Sequence, residues 1–287
     1  MKENVKFSLL LGTLNRPEIL SICLNKLKEQ TYKNFEVIII DQNDNDKTER
    51  VVKEFSGIDI KYKRVNFRGL SKARNAAIGL MCGTHFCLID DDADYSNDYL
   101  ENIVKSLRNN NKAVISGYIL NTNTKKGIVN YSRIKNRGQI SLRETIRLCP
   151  SAGLTFPSST IKEVGLFDEE FGIGAMFGAA EETDYLLRCR KKGYTIIHDP
   201  NVYVEHPIVL KQFQQAEGIS IDKVKSYAMG LGALYKKHLK YYKEFELIPV
   251  LIDNIVRLLV KKIISRNNVA DARFYGFIEG WKQYKAR

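Results

Sequence analysis

Several features that would indicate a secreted or membrane-spanning protein are missing from this sequence. Its five cysteines are scattered and match neither a zinc-binding spacing nor a disulfide framework. No apolar run is long enough to cross a bilayer, and residues 1–4 lead into a strand-like segment without a signal-peptide core. These absences predict a protein of a reducing, cytosolic compartment.

Two common nucleotide-binding motifs are also absent. The first predicted strand is not followed by G-x-G-x-x-G, and G-x-x-x-x-G-K-[ST] occurs nowhere in the chain. Dinucleotide-binding and P-loop functions therefore lose their main support. The 287 residues, 44% of them hydrophobic, are enough for one α/β domain with or without a helical appendage.

Strand and helix patterns alternate through the first third of the chain. Strands are expected at residues 5–12, 35–40, 58–65 and 86–89, and helices at 18–30, 48–55 and 70–80. This alternation predicts an α/β fold with a mostly parallel, doubly wound sheet flanked by helices.

Beyond residue 111 the pattern is less regular. Further strands are expected at 113–118, 151–156, 194–198 and 202–206, and a helix at 181–192. Residues 121–138 are polar, which is typical of an excursion from the sheet, and the glycine-rich stretch 165–178 suits a binding loop. From about residue 210 onward the pattern is helical.

A dense group of carboxylates follows the apolar run 86–89. Asp90, Asp91, Asp92 and Asp94 lie within five residues and would repel one another unless a cation neutralised them. Carboxylate oxygens suit Mg²⁺ or Mn²⁺, which often also hold substrate phosphates. Because open α/β sheets bind ligands beyond the carboxyl ends of their strands, the cluster predicts a divalent-metal site for a phosphorylated ligand.

Two other interpretations fit part of this cluster. Acids also stabilise helix N-termini, but Ser96 and Asp98 could cap the following helix without three further acids. An EF-hand would need a preceding helix and glycine at its sixth loop position, where Tyr95 stands. We therefore favour the metal site over capping and reject the EF-hand.

Polar side chains also follow the first two predicted strands. Thr13 and Asn15 come after the first strand, and Asp41 comes directly after the second. Because parallel strands present their carboxyl ends at one edge of the sheet, we expect these residues to line one crevice together with the Asp90 cluster.

The formal charge of +12 is concentrated near the end of the chain. Residues 210–287 contain 15 Lys and Arg but only 7 Asp and Glu. This excess indicates an anionic partner, either nucleic acid or a membrane surface, or else a solvated helix face. The segment 246–264 is amphipathic, so it could lie in a membrane interface or pack its apolar side on the rest of the protein.

These features together resemble the family 2 glycosyltransferases, nucleotide-sugar enzymes with the GT-A fold. The resemblance covers roughly residues 5–208 and depends on several motifs in order. They are an opening strand with a Thr-x-Asn-Arg turn (7–16), an acid after the second strand (Asp41), an Ala-Arg-Asn helix (69–75), a D-x-D motif (90–92) and an acidic helix start (181–188).

The resemblance implies a GT-A domain at residues 1–208, a basic helical extension at 209–287, and a role for each motif. It assigns Asp92, Asp90 and His206 to a Mn²⁺ or Mg²⁺ ion. The residues that it assigns to the nucleotide-sugar donor are Thr13, Asn15, Arg16, Asp41, Arg74, Asn75, Asp90 and Asp91.

The resemblance also identifies a catalytic group and a stereochemical course. Glu182 is the expected general base for the acceptor hydroxyl, with Glu181 or Asp184 orienting it. With one base and no second nucleophile, a single displacement that inverts the anomeric centre is implied. The pair here is Glu-Glu where the family usually has Glu-Asp, which moves the second carboxylate outward by about one C–C bond.

We expect an inverting, metal-dependent glycosyltransferase of bacterial surface-polysaccharide or glycan assembly. The expected partners are a UDP-sugar donor and a glycan or lipid-linked acceptor. The expected location is cytosolic, with the basic tail in peripheral contact with the anionic inner face of the membrane, and no nucleic acid is expected to bind. The alternatives are a metal-dependent phosphatase, a nucleotidyltransferase and a non-enzymatic basic module that binds nucleic acid.

Overall fold

The computed structural model describes residues 5–108, 110, 112–122, 126–129, 131, 134, 136–206 and 220–285. The other parts of the predicted excursion at 121–138 and of the basic tail lie outside these residues. The chain divides into two compact units: the first comprises the described residues of 1–68, 72–167 and 185–208, and the second those of 69–71, 168–184 and 209–287. The division predicted at residue 208 stays a prediction.

The described residues include ten strands and ten α-helices. The strands are β1 (Phe7–Thr13), β2 (Phe35–Asp41), β3 (Asp59–Arg64), β4 (His85–Ile89), β5 (Asp94–Tyr95), β6 (Ala113–Asn121), β7 (Lys126–Gly127), β8 (Gly138–Gln139), β9 (Leu154–Pro157) and β10 (Thr195–His206). The helices are α1 (Pro17–Lys28), α2 (Lys47–Glu54), α3 (Leu70–Ile78), α4 (Tyr99–Ser106), α5 (Leu142–Leu148), α6 (Ser159–Val164), α7 (Glu181–Lys191), α8 (Ile221–Lys236), α9 (Ile248–Ser265) and α10 (Asn268–Gln283).

The strands of the first unit form one mixed sheet in the order β3-β2-β1-β4-β9-β6-β10-β5, with β7 paired to β6 and β8 to β10. Strands β1 to β4 are parallel where they pair, and β10 is parallel to β6. β9 is antiparallel to both of its neighbours, and β5 is antiparallel to β10. The predicted α/β class with a mostly parallel sheet is confirmed.

Apolar side chains fill both faces of this sheet. β1, β2 and β4 consist mainly of apolar residues and have almost no exposure, as expected for strands that are covered on both sides. Helix α1 shows how the covering works, since Leu20, Cys23, Leu24 and Leu27 recur at helical spacing and are all buried. Pro17 begins this helix at a position where no intrahelical N–H is required.

Two strand predictions were wrong in detail. Residues 195–206 form one strand rather than two short ones, because its pairing with β6 shifts register between Asp199 and Tyr203 instead of breaking. Residues 151–153 form a 3-10 turn, so the strand predicted from 151 begins at Leu154.

The described residues of the second unit are mostly helical. Glycines allow helices α8 and α10 to approach closely. A Cβ on Gly232 would lie only 2.0 Å from the Phe277 carbonyl oxygen, and one on Gly280 would lie 2.0 Å from the Met229 carbonyl oxygen. A side chain at either position would push the two helices apart. None of the helices within the described residues combines the length and hydropathy needed to cross a membrane.

Candidate active site

The candidate metal ligands lie together at the edge of the sheet in the first unit. Asp90 and Asp92 follow β4, and His206 ends β10. The short strand β5 aligns them, because Tyr95 pairs with Val204 and Asp94 with Glu205. The histidine is therefore brought to the acids by strand pairing across more than one hundred residues.

The geometry of this group suits a metal ion. One ligand atom from each of Asp90, Asp92 and His206 lies within 4.8 Å of the others. His206 Nε2 is 3.2 Å from Asp92 Oδ1 and 3.7 Å from Asp90 Oδ2. Burial by itself would lower the pKa of His206, but its hydrogen bonds with the two aspartates raise it to about 9. Two carboxylates and an imidazole are a donor set that fits a divalent cation such as Mn²⁺.

Asp91 points to other partners than the metal ligands do. Its carboxylate accepts hydrogen bonds from the Thr13 hydroxyl at 2.8 Å and from Arg16 Nη1 at 3.0 Å. The same Arg16 nitrogen lies 2.9 Å from Asp92. Burial raises the pKa of Asp91, whereas in Asp92 the effect of burial is outweighed by His206 and Arg16, so its pKa falls.

The turn after β1 is shaped by a left-handed asparagine. Asn15 has φ 58°, a conformation that asparagine tolerates better than most residues do. Its backbone N–H donates to the Asn43 side chain at 2.7 Å, which connects the ends of β1 and β2. Asn15 was expected in the crevice from its place after β1, whereas its contact with Asn43 has no signal in the sequence.

Asp41 is fully buried and its carboxylate already accepts several hydrogen bonds. Asn43 donates to it from its backbone and its side chain, at 2.9 and 2.6 Å, and the Tyr62 hydroxyl donates at 2.6 Å. Beside it lies a cleft of about 700 Å³ at the ends of β2 and β3, with Arg64, Phe67 and Arg68 in its lining. Asp41 itself does not line this basic cleft, but it accepts the hydrogen bonds of Asn43, which does.

Arg74 and Asn75, on α3, both contact Phe167. The Arg74 guanidinium lies 5.6 Å from the ring centre of Phe167 and is almost completely buried. Asn75 exchanges two hydrogen bonds with the Phe167 backbone, at 2.9 and 3.0 Å. The structure gives both residues packing partners here, and their predicted contact with a donor stays a prediction.

The candidate base is on the second unit, in the first turn of α7. Glu181 is buried, whereas Glu182 is half-buried and more accessible. Ala180, directly before the helix, has φ 75°, an unusual conformation for alanine that is often found at functional sites. Gly172 has φ 100°, and a Cβ there would lie 3.2 Å from the Glu181 carboxyl, so the glycine-rich loop fits closely against this turn.

Asp184 is held by a buried group of charges that the sequence analysis missed. Lys237 Nζ lies 2.7 Å from Asp184 Oδ1 and 2.7 Å from Asp168 Oδ2. His238 Nε2 is 3.0 Å from Asp184 Oδ1, and its Nδ1 is 2.9 Å from Glu244 Oε2. Although burial opposes it, these two carboxylates raise the pKa of His238. Lys237 and His238 start a π-helical turn after α8, and no local sequence pattern connects them to a residue more than fifty positions away.

Comparison with known proteins identifies the family. The sequence profile described as "Glycosyl transferase family 2" matches residues 8–162, more than half of the chain. The chain belongs to glycosyl transferase family 2. A relative, the "Amylovoran biosynthesis glycosyltransferase AmsB" of Erwinia amylovora, is 34% identical over 107 residues, which are 34% of this chain and 35% of that protein. Among the first curated relatives, the matched part spans from 15% to 77% of their length.

Solved structures confirm the GT-A fold for this family 2 chain. A mannosyltransferase from Pyrobaculum calidifontis, solved with GDP-Man and Mn²⁺, has a TM-score of 0.64 and 17% identity, covering 82% of this chain and 64% of that one. Residues 1–349 of S. aureus TarS, solved with UDP-GlcNAc, have a TM-score of 0.59 and 16% identity, covering 98% and 93%.

Proposed function

We propose that this protein transfers a sugar from a nucleotide-sugar donor to an acceptor hydroxyl, with a divalent cation held by Asp90, Asp92 and His206. The observation that carries the proposal is the convergence of these three side chains within 4.8 Å at the strand ends of a GT-A fold. In the reaction the bond from the anomeric carbon to the diphosphate oxygen breaks. The acceptor oxygen bonds to the opposite face of that carbon, and its proton passes to Glu182.

The donor set favours Mn²⁺ over Mg²⁺, because one of the three ligands is an imidazole nitrogen and Mg²⁺ prefers oxygen ligands. When bound, the cation supplies positive charge for the leaving diphosphate. Arg16, which lies against Asp91 and Asp92, adds a second positive charge beside the ligands. Asp91 orients Arg16 and Thr13 rather than contacting the cation.

The basic cleft beside Asp41 suits the nucleoside of the donor. Arg64 and Arg68 supply positive charge and hydrogen-bond donors, and Phe67 offers an aromatic surface for a base. Related folds hold GDP-Man and UDP-GlcNAc, so both purine and pyrimidine donors are compatible with the fold. We expect a UDP-sugar to be the preferred donor here.

The exposure of the α7 acids supports Glu182 as the base. A base must reach the acceptor, and Glu182 is more accessible than Glu181 or the fully buried Asp184. Asp184 serves instead as a positioning residue, because Lys237 and His238 hold its carboxylate from a turn distant in sequence. The acceptor is a glycan or a lipid-linked sugar of surface-polysaccharide assembly. The relative AmsB is named for the biosynthesis of amylovoran.

A screen of nucleotide sugars tests this proposal. The full-length protein is incubated with UDP-, GDP- and dTDP-sugars, with Mn²⁺, Mg²⁺ or EDTA, and release of the nucleoside diphosphate is measured. We expect release from one donor class, faster with Mn²⁺ than with Mg²⁺ and absent with EDTA. Hydrolysis of simple phosphate esters without release from any nucleotide sugar would instead support a phosphatase, and salt-sensitive oligonucleotide binding alone would support a nucleic-acid module.

Replacing His238 with Gln is expected to lower both stability and turnover. The variant loses a buried, charge-assisted contact with Asp184, at a cost of about 3 kcal/mol in the free energy of unfolding. The pKa of His238 is raised in the folded protein. Its contribution to the free energy of unfolding is therefore complete below about pH 6.5 and is lost as the pH rises through the folded-state pKa. Urea unfolding should therefore show a difference between wild type and variant that is largest at low pH and becomes smaller as the pH is raised.

Turnover distinguishes positioning from a purely structural role. If His238 and Lys237 position the first turn of α7, the folded His238→Gln variant should have a lower kcat and an unchanged donor KM. Lys237→Arg, which keeps the charge, should retain more of the kcat than Lys237→Gln. A variant that is less stable but has the wild-type kcat when folded would contradict the positioning role.

A further inference from the structure

Helix α9 exposes a stripe of large apolar side chains along its whole length. Ile248, Ile252, Val256, Leu259 and Ile263 follow one another at intervals of three or four residues, so they lie on one face of the helix. Their exposed fractions range from 39% to 64%. From the first to the last of them the helix rises about 23 Å. Single exposed apolar residues are common, but a contiguous stripe indicates a binding surface.

Two further apolar residues beside this stripe are also exposed. Val260 and Ile264 extend it around the helix and are 46% and 75% exposed. On the inward side, Val250 is buried and Asn254 donates a hydrogen bond to Tyr235 of α8. The sequence left open whether the apolar side packs or lies in a membrane. The apolar side chains of the stripe itself are exposed.

Basic residues accompany the stripe. The stretch from Arg257 to Arg266 contains four cations, with Lys261 and Lys262 between them, and no acid. Asp253, on the preceding turn, is paired with Arg257 at 3.1 Å. The apolar surface is thus bordered by positive charge toward the C-terminal end of the helix.

A cavity in the same unit also combines apolar surface with positive charge. It has a volume of about 230 Å³ and is lined mainly by apolar and aromatic side chains, among them Leu258 of α9 and Tyr227 of α8. Two cations, Lys223 and Arg273, also line it, and none of the residues described there is acidic. Apolar surface next to positive charge is the complement of a lipid with an anionic headgroup.

We propose that α9 docks on an anionic bilayer, with its apolar stripe at the boundary between headgroups and acyl chains and its cations among the headgroups. Such helices lie parallel to the membrane surface and bind through buried apolar area together with attraction to anionic lipids. A second copy of this chain in parallel orientation fits less well, because it would bring the cations of both copies together. The proposal does not depend on the glycosyl-transfer chemistry.

Vesicle co-sedimentation of the full-length protein tests the proposal. We expect binding to vesicles of phosphatidylcholine with about 30% phosphatidylglycerol, because basic segments are attracted to anionic lipids. Binding to phosphatidylcholine alone should be much weaker. Ile263→Glu should lower the partition coefficient at least about tenfold, since it places a charge where the apolar side chain would be buried. Lys261→Gln with Arg266→Gln should weaken binding to the anionic vesicles only.

Ile22→Glu is the matched control, because Ile22 of α1 is 65% exposed and Ile263 is 64% exposed. It should leave vesicle binding unchanged. The proposal is overturned if the wild type does not sediment with anionic vesicles, or if Ile263→Glu and Ile22→Glu bind equally. Self-association in sedimentation velocity that Ile263→Glu abolishes, without vesicle binding by the wild type, would instead identify a second copy as the occupant.

Discussion

Asp92→Asn is expected to lower kcat/KM for the nucleotide-sugar donor by about 10³-fold or more. The amide is a weak ligand for a hard cation, so Asp90 and His206 would be left as the ligand pair. Loss of the cation removes the positive charge that stabilises the departing diphosphate, an effect of several kcal/mol, and about 4 kcal/mol corresponds to 10³-fold. Steady-state kinetics at several Mn²⁺ concentrations measures this change.

Asp94→Asn is the control for this substitution. Asp94 lies two residues further along, is exposed, and is not among the three residues that converge. Its replacement makes the same chemical change and should leave kcat/KM within about twofold. If both variants lost activity equally, or neither did, the assignment of Asp92 as a metal ligand would be wrong. Thermal unfolding of both proteins checks that the fold is intact.

Glu182→Gln is expected to lower kcat by about 10²–10⁴-fold while donor binding is retained. An amide has nearly the same shape as the carboxylate but cannot accept the acceptor's proton. Donor KM should therefore change little, in contrast to Asp92→Asn, which should weaken donor binding as well. Single-turnover kinetics with a donor identified in the screen, together with donor titrations, separates these two effects.

Glu169→Gln serves as the control on the same unit, because Glu169 is an exposed glutamate outside α7. It should retain wild-type kcat. If Glu182→Gln kept its activity and Glu181→Gln lost it, the base would be the first acid of the pair. In that event the greater accessibility of Glu182 would have been misleading.

The parts of this protein that the sequence predicts are those determined by neighbouring residues. β1, β2 and β4 each contain an apolar run followed by polar residues, and this local pattern predicts both the strands and the polar side chains at their ends. The register of pairing is not local. Nothing in residues 195–206 shows that one strand continues through a register shift, because this depends on the partner strand β6.

The same distinction applies to the candidate site. The D-x-D motif could be found from sequence because its acids are adjacent, and His206 was added from a family resemblance. Lys237 and His238 could not be found, since neither has an unusual local context and their partner Asp184 is more than fifty residues away. The packing of the buried Arg74 side chain against Phe167 is likewise a contact that no local pattern indicates.

Calorimetric titration of UDP into the full-length protein, with and without Mn²⁺, tests the central claim most directly. We expect binding that depends on Mn²⁺ and is lost in Asp92→Asn but kept in Asp94→Asn. GDP is titrated in parallel, so that a preference for the other base is recognised. Binding of either nucleotide that is equally tight without the metal, or unchanged in Asp92→Asn, would contradict a cation held by Asp90, Asp92 and His206.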